Sequence, residues 1–172
     1  MRVLIATEAT PSVWGDVLSL LASLGEVEFH LAIMGAVRPD LPAGVRTRYM
    51  PFRVDGAWDD LSRAGSWLLQ VEHELAPDLV HLNSYAHAAL PWRAPVVLTA
   101  RELPADPFGI YGDLVAEALL AAAAVAAPTE ARLIELARHF HLPRWAVVAA
   151  SAADYGPLYL RFARRTEMNP AA

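Results

Sequence analysis

Polar side chains cluster at four places in an otherwise apolar sequence, each directly after a short run of Val, Leu, Ile or Ala. Thr7, Glu8, Thr10, Ser12, Trp14 and Gly15 follow the first run, and Asn83, Ser84, Tyr85 and His87 follow a later one. Arg101 with Glu102, and Thr129 with Glu130, follow two more. If the runs are parallel strands, these are the positions just beyond their carboxyl ends, where open α/β sheets place ligands. Such groups suit a small hydroxylated molecule: carboxylate and amide bond its hydroxyls, a Trp ring stacks on it, and a guanidinium clamps it. Each also has a plainer role, since Ser12, Thr10 and Thr129 suit helix caps and turns, and Arg101 with Glu102 suits a solvated ion pair.

The residue types exclude several chemistries. Cysteine is absent, and all 14 basic residues are Arg. There is thus no thiolate nucleophile, no Schiff-base amine and no P-loop lysine. No Gly-x-Gly dinucleotide fingerprint and no Gly-x-Ser-x-Gly nucleophile elbow occurs. His139 and His141 stand two apart, a spacing that does not put both imidazoles on one helix face, so no metal site is expected. His81, inside an apolar run, reads as a hydrogen-bonded core or rim residue. No residue is assigned a catalytic role, and no cofactor is expected. A net charge of −5 opposes binding to nucleic acid. The N-terminal run and the Ala-rich 119–127 are both too short for a signal peptide or membrane span, so the expected location is cytoplasmic.

Length 172 with 55% hydrophobic and 19% charged residues fits one domain with a substantial core. Val3 to Ala6 reads as a strand buried on both faces, followed by a helix carrying Val17, Leu20, Leu21 and Leu24, capped by Ser12 and stopped at Gly25. From Val27 the period becomes two, predicting a half-exposed strand with Glu28 and His30 outward. Val45, Thr47 and Tyr49 alternate with Arg46 and Arg48, as in an edge strand. Leu61, Ala64, Leu68, Val71 and Leu75 mark a long amphipathic helix. Four further runs, 79–82, 96–98, 122–127 and 145–149, read as buried strands, and a helix capped by Thr129 lies between the last two. Segments 34–44, 101–112 and 149–153 read as loops. Alternating strands and helices with short connections predict a single doubly wound parallel α/β sheet, Rossmann-like, with helices on both faces.

Four segments in order, Met1-Arg2-Val3-Leu4-Ile5-Ala6-Thr7-Glu8, Ala76-Pro77-Asp78-Leu79-Val80-His81-Leu82-Asn83, Pro95-Val96-Val97-Leu98-Thr99-Ala100-Arg101-Glu102 and Val125-Ala126-Ala127-Pro128-Thr129-Glu130, resemble the N-terminal, acceptor-side half of GT-B glycosyltransferases of the GT4 type. The resemblance lies in order and spacing and covers about residues 1–148. Arg101 stands where that family usually has His. A single Gly15, after Pro11, Ser12, Val13 and Trp14, stands where it usually has a Gly pair. The second domain's paired Glu signature is absent, so nucleotide-sugar binding is not expected.

Where the family runs into its linker, this chain reads Ala149-Ala150-Ser151-Ala152-Ala153 and then a helix with Tyr155, Leu158, Tyr159 and Phe162 on one face, followed by Arg164 and Arg165. It resembles the family's last helix, which crosses back onto the first domain. The resemblance therefore implies a Rossmann-like domain at 1–148, a bridge at 149–153, and a crossing helix with tail at 154–172, with the second domain missing and sugar transfer beyond the chain alone. A sugar or small-molecule acceptor would meet Glu8, Trp14, Gly15, Asn83, His87, Arg101 and Glu102. Two alternatives stand beside this: a homodimer through the former interdomain face, with Trp14, Trp58, Trp92 and Tyr111 as interface candidates, and a flavodoxin-like or other nucleotide-binding domain, suggested by the hydroxyls of the first loop although that loop lacks a phosphate-wrapping Gly.

Overall fold

A computed structural model describes residues 1–8, 10–35, 40–52, 58–103 and 109–168, without the side chains at 11–12, 58–60 and 164–168. Seven strands, β1 (Arg2–Glu8), β2 (Glu28–Met34), β3 (Arg46–Tyr49), β4 (Leu79–Leu82), β5 (Val96–Thr99), β6 (Ala124–Ala127) and β7 (Ala146–Val148), form one sheet in the order β3-β2-β1-β4-β5-β6-β7. Every neighbouring pair is parallel. The winding direction reverses between β1 and β4, with Ile5 paired to His81, so the sheet is doubly wound and Rossmann-like as expected.

Among the described residues five α-helices accompany it: α1 (Pro11–Ser23), α2 (Trp58–Leu75), α3 (Ile110–Ala121), α4 (Glu130–His139) and α5 (Tyr155–Met168). Alternation along each central strand sends side chains to two cores. Leu4, Ala6, Val80, Leu82 and Leu98 meet Ala64, Leu68 and Val71 of α2, Val115 and Leu119 of α3, and Leu136 of α4. Val3, Ile5, Leu79, Val97, Ala124 and Ala126 meet Val17 and Leu20 of α1 and Tyr155, Leu158, Tyr159 and Phe162 of α5. The helix α5 thus packs back on the sheet, and Ala124 and Ala126 of β6 are the small residues in the same core as its tyrosines.

Several local expectations are corrected. α1 begins at Pro11 with Thr10 as its N-cap, so Ser12 lies inside the helix; Pro at the first position forfeits only an N–H that would be unpaired. β2 is buried from Phe29 to Met34 rather than half exposed, because it lies between β1 and β3 with a core on each face. His30 is accommodated there by Glu28, which bonds its Nε2 at 2.9 Å. The expected loop at 101–112 gives way to α3 from Ile110 onward. No α-helix joins β4 to β5, only a 3-10 turn at Tyr85–His87. β7 is a partly exposed edge strand rather than a buried one. Thr129 caps α4 as predicted, its hydroxyl accepting from Arg132 N at 3.2 Å.

Two contacts fix the connections around β4. Ala76, at φ +46°, turns the chain out of α2 while its N–H still bonds Glu72 O at 2.8 Å. Glu72, only 3% exposed, accepts from the backbone N–H groups of Arg93 and Ala94 at 2.7 and 2.8 Å. One helix carboxylate therefore anchors the entry to β5.

Candidate functional site

The carboxyl ends of β4, β5 and β6, the outer turns of α1 and the 149–153 bridge enclose a cleft of about 590 Å³. Its polar lining comes from Asp16, Ser19 and Ser23 of α1, His81 and Asn83 at β4, Thr99 and Arg101 at β5, and Ser151 and Tyr155 at the start of α5. Leu20, Pro128 and the small residues Ala149, Ala150, Ala152 and Ala153 complete it, the alanines leaving room rather than filling it.

A hydrogen-bonded chain forms the floor. Tyr159 on α5 bonds His81 Nδ1 through its hydroxyl. His81 Nε2 lies 2.7 Å from Thr99 Oγ1, which lies 2.8 Å from the Tyr155 hydroxyl. The Tyr155 ring also stacks on His81, with centroids 5.1 Å apart and planes 23° apart. Period-two strands put His81 and Thr99 on one sheet face, and the i, i+4 spacing puts both tyrosines on one face of α5. A neutral imidazole satisfies the chain in either sense: Tyr159 donates to Nδ1 while Nε2–H donates to Thr99, or both directions reverse. Burial holds His81 neutral, pushing its pKa down to about 3, and raises both tyrosines. These phenols and this imidazole are uncharged near neutrality and serve as hydrogen-bonding groups.

Above the floor Arg101 forms an ion pair with Asp16. Asn83 Nδ2 is buried without a hydrogen-bond partner in a side chain that lines the cleft. Asp154 closes the rim by accepting from Ser151 N and Oγ at 2.8 and 3.0 Å, bonds that hold its carboxyl below the usual range.

Of the acceptor candidates, Asn83 and Arg101 line the cleft together. Glu8 and Glu102 are exposed and outside its lining. Trp14 is half-buried against the α1–α5 core. Gly15 is exposed, and a Cβ there would meet nothing within 4 Å, so no close packing within the chain demands glycine. His87 is buried away from the cleft, its carbonyl accepting Trp92 Nε1 at 2.8 Å; burial lowers its pKa. Trp92 belongs instead to a shallower cavity of about 470 Å³ beside the start of β5, with Leu90, Arg93 and Phe162. Tyr111 is 70% exposed on α3, and the Trp58 side chain lies outside the description. Asp16, Ser19, Ser23, His81, Thr99 and Tyr155 were not among the candidates. The available signal was a polar residue on the same face of two apolar strands, matched by two tyrosines one helical turn apart.

The chain matches no protein-family model and no curated protein in sequence. Its fold is shared with solved structures. A sucrose-phosphate synthase chain from Thermosynechococcus elongatus, designated 27_220_406_426, has a TM-score of 0.65 at 11% identity over 94% of this chain and 98% of that one. A longer chain of the same synthase has a TM-score of 0.66 at 8% identity, over 86% of this chain and 47% of that one. UDP-GlcNAc 2-epimerase from Methanocaldococcus jannaschii has a TM-score of 0.66 at 15% identity, over 97% of this chain and 50% of the enzyme. This chain thus spans about half of the longer structures it resembles. At such identities the likeness defines the fold, an α/β Rossmann-like domain matching one half of the GT-B architecture. Among the described residues no helix is long and apolar enough to cross a membrane.

Proposed function

We propose that these residues form the acceptor-side half of a GT4-type glycosyltransferase, holding a sugar or other small hydroxylated acceptor in the α1–β4–β5 cleft and not transferring sugar by themselves. The carrying observation is the cleft itself: it lies outside the carboxyl ends of parallel strands and is lined by hydroxyls, an amide with a buried unpartnered nitrogen, and tyrosine. Such a surface offers hydrogen-bonding groups to the hydroxyls of a sugar.

Reading α5 as the crossing helix is supported by its packing back on the sheet, where Tyr155, Leu158, Tyr159 and Phe162 join the core of β1, β4 and β5. In this proposal donor nucleotide belongs to the other half of the architecture. Titration of the isotope-labelled protein by NMR with D-glucose and with UDP-glucose tests the proposal. Neutral sugar should move the Asn83, Arg101 and Tyr155 resonances with a Kd of ~1–100 mM, and UDP-glucose should not bind with micromolar affinity; micromolar UDP-glucose binding overturns it.

Self-association through the carboxyl-end face is a second proposal, favoured by Ile110 and Tyr111, which are 72% and 70% exposed side by side at the start of α3. Sedimentation of the protein and of Tyr111→Ser decides it: a dimer that the variant weakens supports the interface, and a monomeric parent protein removes it.

A further inference from the structure

Among the described residues lining the cleft, Asp16 and Arg101 carry charge, and they form an ion pair. The Arg101 side chain is 24% exposed, so its charge is partly withdrawn from water, and the Asp16 carboxylate in the same cleft is a counter-ion to it. A phosphate or carboxylate entering the cleft would compete with Asp16 for the guanidinium and face that carboxylate's repulsion.

The other described polar groups lining the cleft add no positive charge near neutrality. His81 carries no charge near neutrality, and Thr99 and Tyr155 are already bonded to each other. The helix start at 151–155, whose N–H groups would otherwise attract an anion, is occupied by the Asp154 carboxylate, which accepts from Ser151 N. Asn83 Nδ2 remains a buried donor that a sugar hydroxyl oxygen would satisfy.

Building on the proposed acceptor site, we infer that Asp16 is a specificity-determining residue: by pairing Arg101 it makes the cleft select uncharged polyols, unphosphorylated sugars among them, over sugar phosphates and nucleotides. Asp16 therefore acts by exclusion, and its removal should convert the cleft toward anions.

The test compares the protein with Asp16→Asn and Asp16→Ala by calorimetry and NMR, using D-glucose, D-glucose 6-phosphate and inorganic phosphate, with circular dichroism checking the fold. The parent protein should bind the phosphorylated sugar no more tightly than glucose. Both variants should gain about fivefold or more in affinity for glucose 6-phosphate and for phosphate, with glucose affinity changed less than about twofold. Tighter binding of glucose 6-phosphate than glucose by the parent protein overturns the inference while leaving the acceptor site standing, as does a variant that gains nothing for phosphate. If glucose perturbs no cleft resonance, the acceptor proposal fails. The inorganic phosphate measurement still decides the part played by Asp16, since a gain on its removal supports charge exclusion and no gain ends it.

Discussion

The Tyr159 hydroxyl on α5 bonds Nδ1 of His81 on β4, joining residues 78 apart in sequence inside the core. His81 is fully buried, and Tyr159 is the largest of the fully buried side chains among the described residues. This pair makes the last helix part of the sheet's hydrogen-bonding system.

Removing the hydroxyl should therefore destabilise the whole domain. Tyr159→Phe leaves His81 Nδ1 without its partner in a dry environment, for an expected loss of about 1–3 kcal/mol. Tyr155→Phe should cost less, about 1 kcal/mol, because Thr99 keeps His81 as a partner. Urea denaturation midpoints check the order, and equal losses would contradict it.

Stability should also depend on pH through His81. Its folded pKa of about 3 lies below the ordinary 6.5, so the unfolded chain takes up the proton first. The contribution is complete above about pH 6.5 and declines as pH falls toward 3, with a slope of about 1.4 kcal/mol per pH unit from this group. His87, lowered by burial, acts in the same direction. Chemical denaturation between pH 7 and 4 should show the slope, and His81→Gln should flatten it while lowering stability at pH 7.

Glu72 offers an independent probe on the other face of the sheet. Its buried carboxylate holds two backbone N–H groups at the entrance to β5. Glu72→Ala should cost about 2–4 kcal/mol, since two charge-assisted bonds vanish and two donors lose their acceptor. Glu72→Gln keeps one acceptor oxygen and should recover part of the loss. Thermal melts of the three proteins measure the effect.

Truncation after Ala153 should lower the melting temperature and produce aggregates, because Tyr155, Leu158, Tyr159 and Phe162 cover Val3, Ile5, Leu79 and Val97. A truncated protein that melts at the same temperature and stays monodisperse by light scattering contradicts the packing described for α5.

The strands were legible where apolar runs are short and bounded by Pro or polar residues, as at Leu79–Leu82 and Val96–Thr99. The stripe of Tyr155, Leu158, Tyr159 and Phe162 likewise announced α5. α3 was harder to read because Ile110–Ala121 is apolar around most of its circumference and carries little helical periodicity. β2 misled because His30 reads as a surface residue until Glu28 is placed beside it. For the site, the ends of β4 and β5 pointed to Asn83 and Arg101. Asp16 is 85 positions before Arg101, and Tyr159 is 78 after His81, so neither partnership leaves a local trace in the sequence.

The distance along the chain between His81 and Tyr159 also sets the timing of folding. Synthesis delivers β1, β4 and β5 long before the helix that seals their second face. For that interval the growing polypeptide carries an unclosed apolar surface, since contacts between distant segments form late. Holdase chaperones bind such surfaces, and this protein's yield in a cell should rise and fall with their supply.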